Sequence, residues 1–119
     1  MYFAAMSCTF CQIIKGEKPA RIYSEDEKII VFADILPRAA VHLLICPKEH
    51  HISLLELPDD LLTAMMETAR RIARELKLES NFRLILNNGA AAGQIIPHIH
   101  FHFMSNAGGV DIEYKKKRI

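Results

Sequence analysis

The sequence predicts an α+β domain built on a five-stranded, largely antiparallel sheet. Three observations lead there. Five runs have strand character, at 21–24, 29–33, 41–46, 81–86 and 97–104. One long helical stripe, 58–77, falls between the third and fourth of them, and a short helix-forming run, 8–15, precedes the first. The last strand run alternates three histidines, His98, His100 and His102, with Ile99, Phe101 and Phe103. That is the period of a strand, with one face apolar and the other entirely imidazole. Strands in series with a single intervening helix favour an antiparallel sheet over a parallel α/β arrangement.

The first helical run, Cys8-Thr9-Phe10-Cys11-Gln12-Ile13-Ile14-Lys15, ends at Gly16, a natural helix stop. Its two cysteines lie one turn apart on one side, which suits half of a tetrahedral metal site. A redox pair and two unligated core thiols are the other readings. Arg21 to Ser24 forms a short first strand, and Glu25 to Lys28 a polar turn. Ile29-Ile30-Val31-Phe32-Ala33 is apolar without alternation, so it is expected to be buried on both faces. Asp34 closes it, as a turn cap or as an acceptor for a pair of ligand hydroxyls. The third strand, Val41 to Cys46, stops at Pro47 and carries His42 in an otherwise apolar run. This histidine is either a satisfied core residue or part of a site with the later histidine row.

Between 58 and 77 the residues Leu61, Met65, Ala69, Ile72, Ala73 and Leu76 form one helical stripe. Asp59 and Asp60 at its start and Lys77 at its end match the helix dipole. The fourth strand, 81–86, connects to the fifth through 87–96, where Gly89, Gly93 and three alanines leave room for a tight turn or a ligand.

Composition narrows the classes. A chain of 119 residues holds one domain with a real core, and 50% hydrophobic residues argue against disorder. Fifteen basic against fourteen acidic residues predict neither a nucleic-acid partner nor an anionic membrane partner. No segment approaches a membrane span. Three cysteines do not make a secreted disulfide framework, so a cytoplasmic location is expected. Residues 1–7 are expected to be an N-terminal extension, 8–107 the domain, and 108–119 a solvated basic tail ending in Lys115-Lys116-Lys117-Arg118-Ile119.

The histidine row admits a nucleophilic phosphate site or a metal site. On one straight strand His98 and His102 would lie about 13 Å apart, too far to share an ion. A middle imidazole with polar neighbours suits nucleophilic attack on phosphorus better.

The row, with Phe32-Ala33-Asp34-Ile35, the block from His42 to His50, Asn87-Asn88-Gly89 and Ala92-Gly93-Gln94, closely resembles the histidine-triad (HIT) superfamily. The nearest branch is the HINT-like nucleoside phosphoramidases and related bacterial proteins with a CxxC zinc site. The resemblance runs from Cys8 to about Met104 and implies a homodimer that binds a purine nucleotide. It implies that His100 is the nucleophile, forming a nucleotidyl-histidine, and that His102 and His42 shape the phosphate site. Asn87 and Gln94 match polar residues beside the phosphate, and Asp34 matches the acid that binds the ribose. Phe10, Ile13, Ile22 and Ile35 become walls of the base pocket. A structural Zn2+ on Cys8, Cys11, His50 and His98 is implied by the CxxC-bearing members, with no organic cofactor. Two departures stand out: Ile95 replaces the serine that many HINT-like members carry after the glutamine, and the basic tail replaces the tryptophan-proline ending of the animal enzymes.

Overall fold

The computed structural model describes residues 8–118; the N-terminal extension expected at 1–7 lies outside them. The five expected strands are present and all pair antiparallel. In chain order they are β1 (Ala20–Glu25), β2 (Ile29–Ala33), β3 (Val41–Pro47), β4 (Arg83–Leu86) and β5 (Phe101–Ser105). A sixth, β6 (Lys116–Arg118), pairs with β1, so the sheet runs β4-β5-β3-β2-β1-β6. Among the described residues two α-helices flank it, α1 (Thr9–Ile14) and α2 (Asp59–Glu75).

Strand alternation sorts the sheet into two faces. Ile29, Val31, Leu43, Ile45, Phe101 and Phe103 pack against Leu61, Met65, Ala69 and Ile72 of α2. This is the expected stripe, and α2 starts beside Asp59 and Asp60 with Arg74 in its last turn. It stops because Lys77 takes the left-handed conformation (φ 58°) and Leu78 N–H bonds back to Ala73 O at 2.8 Å. The opposite face carries Ile22, Ile30, Phe32, Leu44 and Cys46, covered by Cys8, Phe10 and Ile13 of the α1 region. The histidines belong to this second face. Burying β2 and β3 between two layers explains the unbroken apolar run of β2 and that of β3, interrupted only by His42.

Two expectations change. The last strand was expected from residue 97, and the ladder begins only at Phe101. Continuing it would set Ile99 opposite Pro47, which has no N–H to give. Ile99 N–H turns to His51 O instead, at 2.7 Å. Side-chain alternation persists even so, with Ile99 in the α2 core and His98 and His100 buried elsewhere.

The segment expected as a solvated tail returns to the sheet. Val110, Ile112 and Tyr114 pack against the α2-side core, Arg21 lies 4.6 Å over the Tyr114 ring, and Lys115 N–H bonds Ile22 O. The basic cluster hid the alternation Val110-x-Ile112-x-Tyr114 that precedes it. Among the described residues, no helix is long and apolar enough to cross a membrane.

Candidate active site and adjoining metal cluster

Two groups of side chains meet on the α1 face, joined by residues 98–102. The first gathers Cys8, Cys11, His50 and His98, whose ligand atoms all lie within 4.8 Å of one another. Cys8 caps α1, its sulfur accepting the Cys11 N–H at 3.4 Å, so the helix itself sets the spacing of the two thiols. His98 Nε2–H donates to Pro47 O at 2.7 Å, which leaves Nδ1 as a bare lone pair facing the group. That Nδ1 is 3.5 Å from Cys8 Sγ, 3.6 Å from Cys11 Sγ and 3.2 Å from His50 Nδ1; Cys11 Sγ is 3.1 Å from His50 Nδ1.

A tetrahedral Zn2+, bonded at about 2.0–2.1 Å to nitrogen and about 2.3 Å to sulfur, requires edges of about 3.3 Å between nitrogens and about 3.6 Å between nitrogen and sulfur. Three of the four edges match that pattern and the fourth, Cys11 Sγ to His50 Nδ1 at 3.1 Å, is shorter; the donor set of two thiols and two imidazoles suits the ion. Burial holds the His98 pKa down to about 4, so its lone pair is available at neutral pH. Burial pushes the Cys11 thiol up to about 11, with the neighbouring Cys8 adding to the rise. A bound cation reverses such a rise by stabilising thiolate.

The second group is His100, His102, His42 and Asp34. His102 lies opposite Leu44 on β3 and His42 opposite Met104, so the two histidines are diagonal neighbours on one face. His42 Nε2 is 2.9 Å from His102 Nδ1 and 3.2 Å from Asp34 Oδ2. His42 Nδ1 accepts the Arg38 N–H at 3.1 Å, so the ring proton sits on Nε2 and is shared between His102 and Asp34. Receiving that proton at Nδ1 makes His102 an Nε2–H donor. The chain Arg38, His42, His102 therefore ends in a hydrogen-bond donor within a buried site.

His100 is fixed in the opposite tautomer. Its Nδ1 donates to His98 O at 2.7 Å and leaves Nε2 with a free lone pair. Phe10 packs edge-on to its ring at 4.9 Å between centroids, and His102 does so at the same separation. Burial lowers the pKa of His100, with Asp34 opposing, and lowers that of His42 in the same way. For His102 burial comes first and the neighbouring histidines second, taking it down to about 4. All three are neutral at pH 7, as a nucleophile and its hydrogen-bonding partners require.

Asp34, His42 and His102 also bring three ligand atoms within 4.8 Å of one another. The tautomers argue against it. His42 already spends its Nδ1 lone pair on Arg38, so binding a metal through Nε2 would demand an imidazolate.

The remaining predicted residues are partly gathered. The 87–96 loop is locked by Gln94, whose Oε1 accepts the Gly89 N–H at 2.7 Å and whose Nε2 donates to Ile52 O and Ile96 O. Gly89 and Gly93 both take positive φ, near 98° and 95°, where a side chain would be strained. Asn87 sits against Gly93, its Nδ2 within 3.8 Å of where a Cβ would stand. Asn88 Oδ1 accepts the Leu54 N–H, a second tie between the same two loops. Phe10, Ile13 and Ile22 are buried beneath α1, while Ile35, next to Asp34, is 88% exposed. Sequence reading missed Arg38 and the carbonyls of Pro47 and His98, because they act through backbone atoms and any residue type can supply those.

Comparison with known proteins agrees with this geometry. The family model for the HIT domain matches residues 15–109. The chain belongs to the HIT family. Among curated HIT relatives, the adenosine 5'-monophosphoramidase HNT1 of Candida albicans is 39% identical, covering 82% of this chain and 69% of its own length. That similarity sets the chain in the HINT-like branch. A HIT family hydrolase from Clostridium thermocellum is 42% identical, covers 92% of this chain and 96% of its own, and superposes with a TM-score of 0.78. The crystal structure of a Zn-bound histidine triad family protein from Mycobacterium smegmatis is 34% identical, covers 94% and 84%, and also gives 0.78.

Proposed function

We propose that this chain is a nucleotidyl hydrolase, cleaving purine nucleoside 5′-phosphoramidates or related nucleotidyl substrates through a covalent intermediate on His100. The observation that carries this is the His100 tautomer: Nδ1–H is anchored on His98 O, and Nε2 is left as a buried, neutral nucleophile. The Nε2 lone pair forms a bond to the α-phosphorus as the bond to the leaving amine breaks, the amine taking a proton from solvent that the attacking water of the second step gives back. Water then adds to the same phosphorus, the Nε2–P bond breaks, and the nucleoside monophosphate leaves. His102 Nε2–H donates to a non-bridging oxygen as charge shifts onto it. Asp34 accepts from the ribose hydroxyls, and Asn87 lies on the phosphate side with Gln94.

Cys8, Cys11, His50 and His98 hold a structural Zn2+ in this reading. Bound there, the ion supplies a rigid cross-link between α1, the segment after β3 and the approach to β5. The similarity to a Zn-bound relative and the donor spacing support it. A cytoplasmic homodimer is part of the same proposal, with no nucleic acid and no membrane partner. β4, half-buried at one sheet edge, offers unpaired backbone for a second copy.

Rapid-quench incubation of wild type and His100→Gln with a phosphorus-labelled adenosine 5′-phosphoramidate, with and without chelator, is the test. A label that wild type alone acquires, with brief chelator exposure leaving it in place, is expected. Tight nucleotide binding without label or hydrolysis would instead make the chain a nucleotide-binding interaction protein, a reading that Ile95, 89% exposed and lacking a hydroxyl, keeps in play. Immediate loss of turnover with the fold intact would restore a metal-dependent hydrolase.

A further inference from the structure

Among the described residues His100 has one hydrogen bond to hold it, and one bond leaves a ring free to hinge about the Nδ1–O axis. What restrains the ring otherwise is contact. Phe10 meets it edge-on, with centroids 4.9 Å apart and planes at 76°. The same phenyl ring meets His98 at 5.9 Å and Phe32 at 5.2 Å, both edge-on. Phe10 therefore touches the proposed nucleophile, the residue whose carbonyl orients that nucleophile, and the sheet beneath both. It is 5% exposed, so it stands behind the imidazole and not on an open wall.

The position of Phe10 in the chain gives this packing a second meaning. It sits between Cys8 and Cys11 on a helix of only six residues. Such a helix does not hold itself together in water and depends on tertiary anchors. Its anchors are the two thiols at the metal cluster and the apolar contacts of Phe10 and Ile13. Two paths then run from the cluster to His100. One passes through His98, which offers Nδ1 to the cluster and its carbonyl to His100; the other passes through α1 and Phe10.

We infer that Phe10 is a positioning residue for His100, and that the Cys8–Cys11–His50–His98 cluster acts through Phe10 and His98 to fix the orientation of the attacking imidazole. The inference rests on the nucleophile reading of His100 for its kinetic consequence only. A small misplacement of a reacting group costs up to about a hundredfold in rate. Losing the Phe10 contact, with the His98 O bond and the His102 ring still holding the imidazole, is expected to cost about tenfold by the same argument.

Full-length, zinc-loaded Phe10→Leu carries the test, beside wild type, Phe10→Tyr and wild type stripped by prolonged chelation and then re-supplied with zinc. Zinc per chain, the long-range 1H–15N spectrum of the His100 ring, the single-turnover rate of His100 labelling and the affinity for adenosine monophosphate are measured on each. Phe10→Leu is expected to keep its zinc, while the rate falls about tenfold and the single Nδ1–H tautomer gives way to a mixture. Phe10→Tyr keeps the ring edge and is expected to keep the wild-type spectrum. Stripped wild type should show the mixture and recover on adding zinc.

A wild-type tautomer and rate in Phe10→Leu, with only nucleotide affinity changed, would make Phe10 a pocket wall and overturn the inference. An unchanged His100 spectrum in stripped protein would overturn it too, even if Phe10→Leu failed to fold. Should wild type itself acquire no label, the nucleophile reading fails, and the ring spectra without nucleotide still decide whether the cluster orients His100.

Discussion

Acid should unfold this domain through its buried imidazoles, and His102 allows the size of the effect to be worked out. Burial and the neighbouring histidines hold its folded pKa near 4, against an ordinary value of 6.5. The folded value is the lower one, so between pH 6.5 and 4 the unfolded chain binds more protons and stability falls with pH. Above about pH 6.5 both states are neutral and the contribution is fully present; below about pH 4 both are charged and nothing more is lost. At about 1.36 kcal/mol per pKa unit, the whole window is worth about 3 kcal/mol, of which about 2 kcal/mol has gone by pH 5. Urea unfolding at pH 7 and pH 5, on wild type and His102→Gln, isolates this residue. Glutamine can still accept from His42 but cannot titrate. The variant should lose about 2 kcal/mol less than wild type between the two pH values. Equal losses in both proteins would refute the reasoning, because the acid sensitivity would then arise elsewhere.

Three further expectations follow from the same contacts. Met65→Ala, fully buried in the α2 core, should cost about 2–5 kcal/mol in denaturant unfolding and leave nucleotide affinity nearly unchanged. Gln94→Ala removes three hydrogen bonds between the 87–96 loop and Ile52, Ile96 and Gly89; at about 0.5–1 kcal/mol for partly exposed bonds, a loss of about 2 kcal/mol is expected, with faster exchange of the Gly89 amide. Ending the chain at Gly109 strips Val110, Ile112 and Tyr114 from the core and β6 from β1, so the melting temperature should drop by several degrees and β1 amides should exchange faster.

How far the sequence reveals the molecule depends on whether side-chain pattern or backbone chemistry decides each feature. The strands at 29–33 and 41–47 and the α2 stripe are legible because burial dictates residue type directly. The pairing of Cys8 and Cys11 is legible from spacing alone. The sixth strand is not, since Lys115 to Arg118 is a run of charge without strand alternation, and edge strands commonly carry lysine. The start of β5 was misplaced because the alternation of 97–104 persists where the ladder does not, Pro47 having no N–H to continue it.

The roles of the histidines lie deeper than the pattern. On the sequence His98, His100 and His102 are three equal members of a row, and a straight strand sets the outer two too far apart to share an ion. Their backbone acceptors make them unlike. Pro47 O takes the Nε2 proton of His98 and turns its Nδ1 toward the cysteines. His98 O takes the Nδ1 proton of His100 and leaves its Nε2 lone pair free. His42, itself set by the Arg38 amide, hands a proton to His102 Nδ1 and makes its Nε2 a donor. One row thus presents a lone pair to the cysteines, a second lone pair left free, and an N–H donor. Replacing a residue whose carbonyl matters would leave that carbonyl in place, so His98→Ala separates the two duties of His98. Metal content should fall with its ring, while His98 O survives in the chain; any loss of the single His100 tautomer then measures how much the cluster, and not the hydrogen bond alone, holds that carbonyl in position.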